Sequence, residues 1–183
     1  MGIINKIKEQ RFLFEELTKR DFAKKYKRTV LGILWSVLGP LMTLGVMALV
    51  FTQFFGQNME HYVIYLFCGN LVFNYFKEST FTGMTSLHDN AGIFSKINVP
   101  KYMFLLSKNV SSLINFAINV AFLFLFCIID GVAFNWKFIL LLYPIGCLVL
   151  FSLGSGLILS ALYLMFRDMK YLYDIFTLLL MYL

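Results

Sequence analysis

The stretch Tyr62–Gly83, "YVIYLFCGNLVFNYFKESTFTG", sets polar side chains into an otherwise apolar run. Asn70, Asn74, Lys77 and Glu78 stand at i, i+4, i+7 and i+8, so a helix carries them on one face. Lys108, Ser112, Asn115 and Asn119 repeat the arrangement around the run Phe104–Ile129. Amides and charges in hydrocarbon are costly, and they turn towards a bundle interior, a partner or a wet cavity. The asparagines can serve as interhelical hydrogen-bonding groups, each contact contributing about 0.6 kcal/mol. Alternatively, the stripes line a path for a polar substrate, with Asn70, Asn74, Lys77, Asn115 and Asn119 as its walls. Lys77 and Glu78 lie nearer the end of their run, where snorkelling to the headgroups also explains them.

Such stripes need helices that cross a membrane, and the composition provides for them. The 183 residues are 60% hydrophobic and 14% charged, with a mean hydropathy of +0.75. A soluble domain carries roughly 25% charged residues. A spanning helix needs about 20 mostly apolar residues. Thr29–Phe55, Tyr62–Gly83, Phe104–Ile129 and Phe138–Phe166 meet that length, and a fifth run goes from Tyr171 to Leu183. Those last 13 residues would cover only about 20 Å as a helix, so the expectation is that the chain stops partway through an element. The predicted fold is an all-α polytopic membrane protein. An N-terminal interfacial helix over residues 1–28 precedes a membrane domain over 29–183, with at least four spans and the start of a fifth. The first apolar run begins too late and is too long for a cleaved signal peptide.

Charge distribution orients the chain. Nine of the 16 Lys and Arg fall between Lys6 and Arg28, and Lys19–Arg28 alone holds six against one Asp. The Gln57–His61 loop has none and the Asp130–Lys137 loop has only Lys137, whereas Lys96, Lys101, Lys108, Arg167 and Lys170 cluster at the other connections. Basic and non-basic loops alternate as the positive-inside rule requires, which predicts a cytoplasmic N-terminus. The Lys-rich segment would also favour anionic headgroups. Nucleic acid is not needed to explain the net charge of +6. Ile3, Ile4, Ile7, Leu13, Phe14 and Leu17 fall broadly on one side of a helix, with Phe12 breaking the stripe.

Other constellations read as architecture. Ser152, Gly156 and Ser160 recur every four residues beside Gly154 and Ser155, a face for close helix packing rather than a binding site. Pro40 and Pro144 can kink membrane helices. Among 21 Phe, 10 Tyr and 2 Trp, Trp35, Tyr62 and Trp136 sit near span ends as interfacial anchors. The Phe residues can face lipid, or line a conduit in which sugar faces stack on rings. Cys68, Cys127 and Cys147 behave as small hydrophobes, and His61 and His88 lie in separate loops. No Walker lysine loop, H-E-x-x-H or G-x-S-x-G occurs. Asp168 and Asp174 read as caps or partners of Arg167 and Lys170. Neither catalysis nor a metal site is expected.

Four segments in order carry a resemblance: "KRDFAKKYKRTVLGILWSVLGPL", "GNLVFNYFKEST", "NAGIFSKINVPKYMFLLS" and "FRDMKYL". Together they resemble ABC-2-type permeases that export bacterial cell-surface polysaccharides such as O-antigen and teichoic acid. The resemblance implies a six-span permease in the plasma (inner) membrane. It would dimerise, bind two separate ATPase subunits that hold ATP and Mg, and pass a lipid-linked glycan between its copies. It implies no cofactor on this chain itself. The loop 84–103 would dock on the ATPase through Asn90, Ile93, Phe94, Lys96, Ile97 and Pro100. Arg20, Asp21, Tyr26, Lys27 and Arg28 would sit at the cytoplasmic entrance. The re-entrant and final helices of that family have no counterpart before Leu183. The rival readings are an ABC-2 permease for a drug or lipid, and a secondary transporter. The latter needs a coupling-ion site, for which the stripes offer one acid, Glu78. A purely structural scaffold does not account for polar stripes on two spans.

Overall fold

The computed structural model describes residues 3–26, 31–55, 60–94, 99–132 and 135–183. Every regular element among them is helical. In chain order they are α1 (Ile3–Tyr26), α2 (Trp35–Phe55), α3 (Tyr62–Asp89), the short α4 (Ala91–Phe94), α5 (Tyr102–Ile129), α6 (Leu142–Met165) and α7 (Met169–Tyr182). A 3₁₀ turn, Gly32–Leu34, leads into α2, and another, Trp136–Leu141, leads into α6.

The bundle is built around α3, which packs most extensively on α6 and α5 and also touches α2, α4 and α7. Its two main faces work differently. At the closest approach to α6 the side chains are reduced almost to nothing: a Cβ built on Gly83 would lie 3.2 Å from the Gly156 Cα. Elsewhere along the contact Phe76 stacks on Phe151 and His88 meets Tyr163. Ser152, Gly156 and Ser160 are the buried residues of α6, as their spacing predicts. Without side chains between them the backbones approach and gain dispersion contacts along the interface. Towards α5 and α2 the contact is bulky. Phe67, Leu71 and Tyr75 meet Phe116 and Leu44, with the Tyr75 and Phe116 ring centroids 4.8 Å apart.

Among the described residues two helices, Tyr102–Ile129 and the continuous stretch Phe138–Met165, are long and apolar enough to cross a membrane. Only 28% and 17% of their apolar windows are buried, which a soluble core helix would not tolerate. Their exposed rows, such as Leu125, Ile128, Leu150, Phe151 and Ile158, call for lipid or further protein. This is a membrane protein. At α1, Leu13, Phe14 and Leu17 pack with Ile93, Val99, Met103 and Phe104, while Phe12 stays exposed. The amphipathic face of the N-terminal helix thus covers the start of α5.

One boundary differs from expectation. Helix α3 continues to Asp89 instead of ending at Gly83, because nothing before Asn90 breaks it. The hydroxyls of Thr82 and Ser86 bond back to the Glu78 and Gly83 carbonyls, and Met84 and Ser86 are buried. Its hydrophilic end is therefore packed helix, and the connection proper is shorter than residues 84–103. Pro144 falls in the first turn of α6, directly after the 3₁₀ turn, where a missing donor costs least. Pro40 lies inside α2 as expected. Asp168 occupies the position before α7, but its side chain makes no capping bond.

Gly83→Leu should overpack the α3–α6 contact and destabilise the protein by about 1–3 kcal/mol. Gly154→Leu, on an exposed part of α6 with nothing within 4 Å, should leave stability nearly unchanged. Thermal melts of detergent-purified variants compare the two, and equal melting temperatures would mean the close approach is not required.

Candidate functional site

A cavity of about 640 Å³ opens between α1, α2, α3, α5 and α7. The long helix α3 supplies Asn74, Tyr75, Lys77, Glu78 and Phe81, and α5 supplies Ser112, Asn115, Phe116 and Asn119. Trp35, Ser36 and Thr43 close it from α2, Lys25 from α1 and Asp174 from α7. Four of the five residues expected to line a path share this wall. The fifth, Asn70, lies one turn from Asn74 and accepts a 3.0 Å hydrogen bond from the Asn74 amide. Trp35, expected as an interfacial anchor, also lines this wall.

Glu78 organises the polar side. Its Oε1 accepts from Lys25 Nζ at 2.7 Å and from Ser112 Oγ and Asn115 Nδ2 at 3.3 Å each. Asn119 Nδ2 donates to the Asn115 carbonyl at 2.8 Å. Asn119 Oδ1 and Asn70 Nδ2 remain buried with no partner among the described residues. In protein interiors such atoms are normally satisfied by water or a ligand. The cavity itself offers both signs of charge, side-chain amides and an aromatic face to a polar molecule.

Below the stripes a second layer joins the helices. Asn109 donates to Ser79, Tyr75 donates to Asn109 Oδ1 at 3.4 Å, and Thr80 pairs with Tyr173 of α7. The sequence stripes missed this layer. The signal lay in the register Leu105, Asn109, Ser112 and Phe116, a face of α5 adjacent to the stripe that begins at Lys108.

The expected entrance and docking residues are partly brought together. Arg20 Nη2 bonds both Asp21 Oδ1 at 2.7 Å and Asn90 Oδ1 at 2.8 Å. The buried Asp21 also accepts from Ser107 Oγ at 3.0 Å. One residue expected at the entrance thus holds another expected at the ATPase contact, and Ile93 is packed on α1. Pro100 precedes α5, and its carbonyl accepts from Met103 N at 3.1 Å. Lys27, Arg28, Lys96 and Ile97, with the side chains of Tyr26 and Phe94, lie outside the described residues. At the opposite end of the bundle His61 Nδ1 lies 2.5 Å from Asp130 Oδ2, so one residue of each basic-poor connection meets the other.

Arg20→Ala should leave a buried carboxylate short of its charged partner and cost about 2 kcal/mol. Arg11→Ala removes only an exposed pair with Glu15, with side chains 80% and 51% accessible, and should cost no more than about 0.5 kcal/mol. Denaturation of the two variants by heat tests this, and an Arg20→Ala loss as small as that of Arg11→Ala would contradict it.

No protein-family model matches the chain. It is similar over most of its length to curated proteins called O-antigen export system permease protein RfbA. The protein of Myxococcus xanthus is 26% identical over 172 residues, 93% of this chain and 65% of the relative. One from Klebsiella pneumoniae is 28% identical over 164 residues, 87% of this chain and 63% of the relative. The chain thus spans a little under two thirds of the length of the curated relatives it matches. They bear out the resemblance carried by the four segments.

Proposed function

We propose that this chain is the membrane-spanning permease subunit of an ATP-binding cassette exporter for bacterial cell-surface polysaccharide of the O-antigen type. Its similarity to O-antigen export permeases across nearly the whole chain carries the reading. In it, α2, α3, α5 and α6 cross the plasma membrane and α7 begins a fifth crossing. A homodimer with two ATPase subunits moves a lipid-linked glycan. ATP and Mg bind those subunits, and this chain performs no chemistry of its own.

The cavity supports a polar cargo. The ring face of Trp35 can stack on a sugar, while Asn74, Asn115 and Asn119 exchange hydrogen bonds with hydroxyls. Transport needs such groups to be weak and numerous, so that a chain can slide past them. The pairing of Glu78 with Lys25, Ser112 and Asn115 disfavours a secondary transporter, because the one acid in the stripes is already engaged. The residues following α3, with α4, are the proposed contact for the ATPase. Asn74→Leu and Asn115→Leu, introduced singly into the full-length permease beside its ATPase, should each lower export of lipid-linked glycan at normal abundance. Normal export by both would remove the cavity from the route.

The orientation follows from the same reading: the end holding Arg20, Lys25 and Lys108 faces the cytoplasm, and the His61–Asp130 end faces outward. In a background without native cysteines, Asn135→Cys should react with an impermeant maleimide on intact cells and Gly92→Cys only after lysis. The reverse pattern would invert the topology.

A further inference from the structure

Glu78 stands where three helices converge. The Lys25 ammonium reaches it from α1, and Ser112 and Asn115 reach it from α5, all on one carboxylate oxygen. Helices α3 and α5 run antiparallel. Asn74 lies one turn from Glu78 towards the His61 end, and Asn119 one turn from Asn115 in the same direction. The Lys25–Glu78 contact therefore lies between the basic end of the bundle and the Asn74–Asn119 part of the cavity. Both side chains are only partly covered, at 43% and 35% accessible. A pair at that exposure is worth up to about 1 kcal/mol, which suits a contact that opens and closes.

We propose that Glu78 is the positioning residue of this cavity and that its pair with Lys25 latches the end of α1 across the basic-side mouth. This rests on the transport reading only for its purpose, since the latch itself concerns access of small molecules. With the latch closed, Glu78 holds Asn115 in place and the α1 ammonium lies over the opening. When α1 lifts, Lys25 leaves, the mouth widens, and the carboxylate with its two α5 donors becomes the first polar group an entering molecule meets. Glu78 is a positioning residue because it acts through Lys25 and Asn115.

The test uses the full-length permease with its ATPase in inverted membrane vesicles, in a background lacking native cysteines, with Asn74→Cys as reporter. The rate of modification by an impermeant maleimide, without cargo, reads how often the mouth is open. Lys25→Met and Glu78→Gln should each raise that rate by up to about fivefold, the population shift expected from losing such a pair. The double variant should gain no more than either single one, and Lys25→Arg should keep the parent rate. A merely structural role would instead lower abundance and leave the rate of the surviving protein unchanged. Unchanged rates in both single variants, or gains that multiply in the double variant, would overturn the latch. Because no cargo is present, this result is independent of whether the Asn74→Leu and Asn115→Leu variants still export glycan.

Discussion

A helix that carries Asn70, Asn74, Lys77 and Glu78 into a largely apolar surrounding is tenable only if its neighbours answer those groups. The arrangement around α3 follows from that demand. Ser112 and Asn115 on α5 and Lys25 on α1 converge on Glu78. Tyr173 of α7 is tied to Thr80 and donates to the Lys77 carbonyl at 3.2 Å. Only the face of α3 that needs no polar answer meets α6, and there the solution is close backbone approach at Gly83 and Gly156. A single helix thus assigns its neighbours by chemistry: polar partners converge on Glu78, and a close glycine contact meets α6.

The two faces also differ in what they permit. The glycine contact leaves little room, since a Cβ on Gly83 would already lie 3.2 Å from the Gly156 Cα. Hydrogen-bonded partners can exchange, because a group leaving one donor can take another or water, and net gains of about 1 kcal/mol per bond are easily traded. The rigid contact therefore anchors α3 to α6, and the exchangeable contacts line the cavity. That division is what a moving part requires: a fixed side to move against and a wet side that re-pairs as it moves.

Patterns with a strong period were legible in the sequence. The helical register of the two stripes placed Asn74, Lys77, Asn115 and Asn119 on one wall, and the four-residue repeat of Ser152, Gly156 and Ser160 marked the packing face. Charge and hydropathy alone could not place residues whose role depends on a partner distant in the chain. Lys25 is one cation in a basic run until Glu78, 53 residues away, defines it. Arg20 and Asn90 were assigned to separate functions, although 70 residues of separation close to a 2.8 Å bond. The extension of α3 to Asp89 was hidden because a hydrophilic segment resembles a loop when its buried side, Met84 and Ser86, is short.

These distant pairs share one helix, and that has a mechanical consequence. Arg20 binds the α3–α4 junction through Asn90, and Lys25 binds Glu78 on the cavity wall. Five residues apart on an α-helix, the two points are separated by about 7.5 Å along its axis. Between them the backbone is continuous α1, which is far stiffer than either bond. The apolar contacts of Leu13, Phe14 and Leu17 with Ile93, Val99, Met103 and Phe104 hold the preceding turns against the same junction. A displacement of the α4 region cannot then be absorbed locally. It must either break the Arg20–Asn90 bond or carry α1 with it. The contacts that hold α1 against this junction are better shielded, because Asp21, which accepts from Ser107 of α5, and the Leu17, Val99, Met103 and Phe104 cluster are buried while Lys25 and Glu78 are partly open to solvent. The weaker bond, at the cavity, is the one that yields.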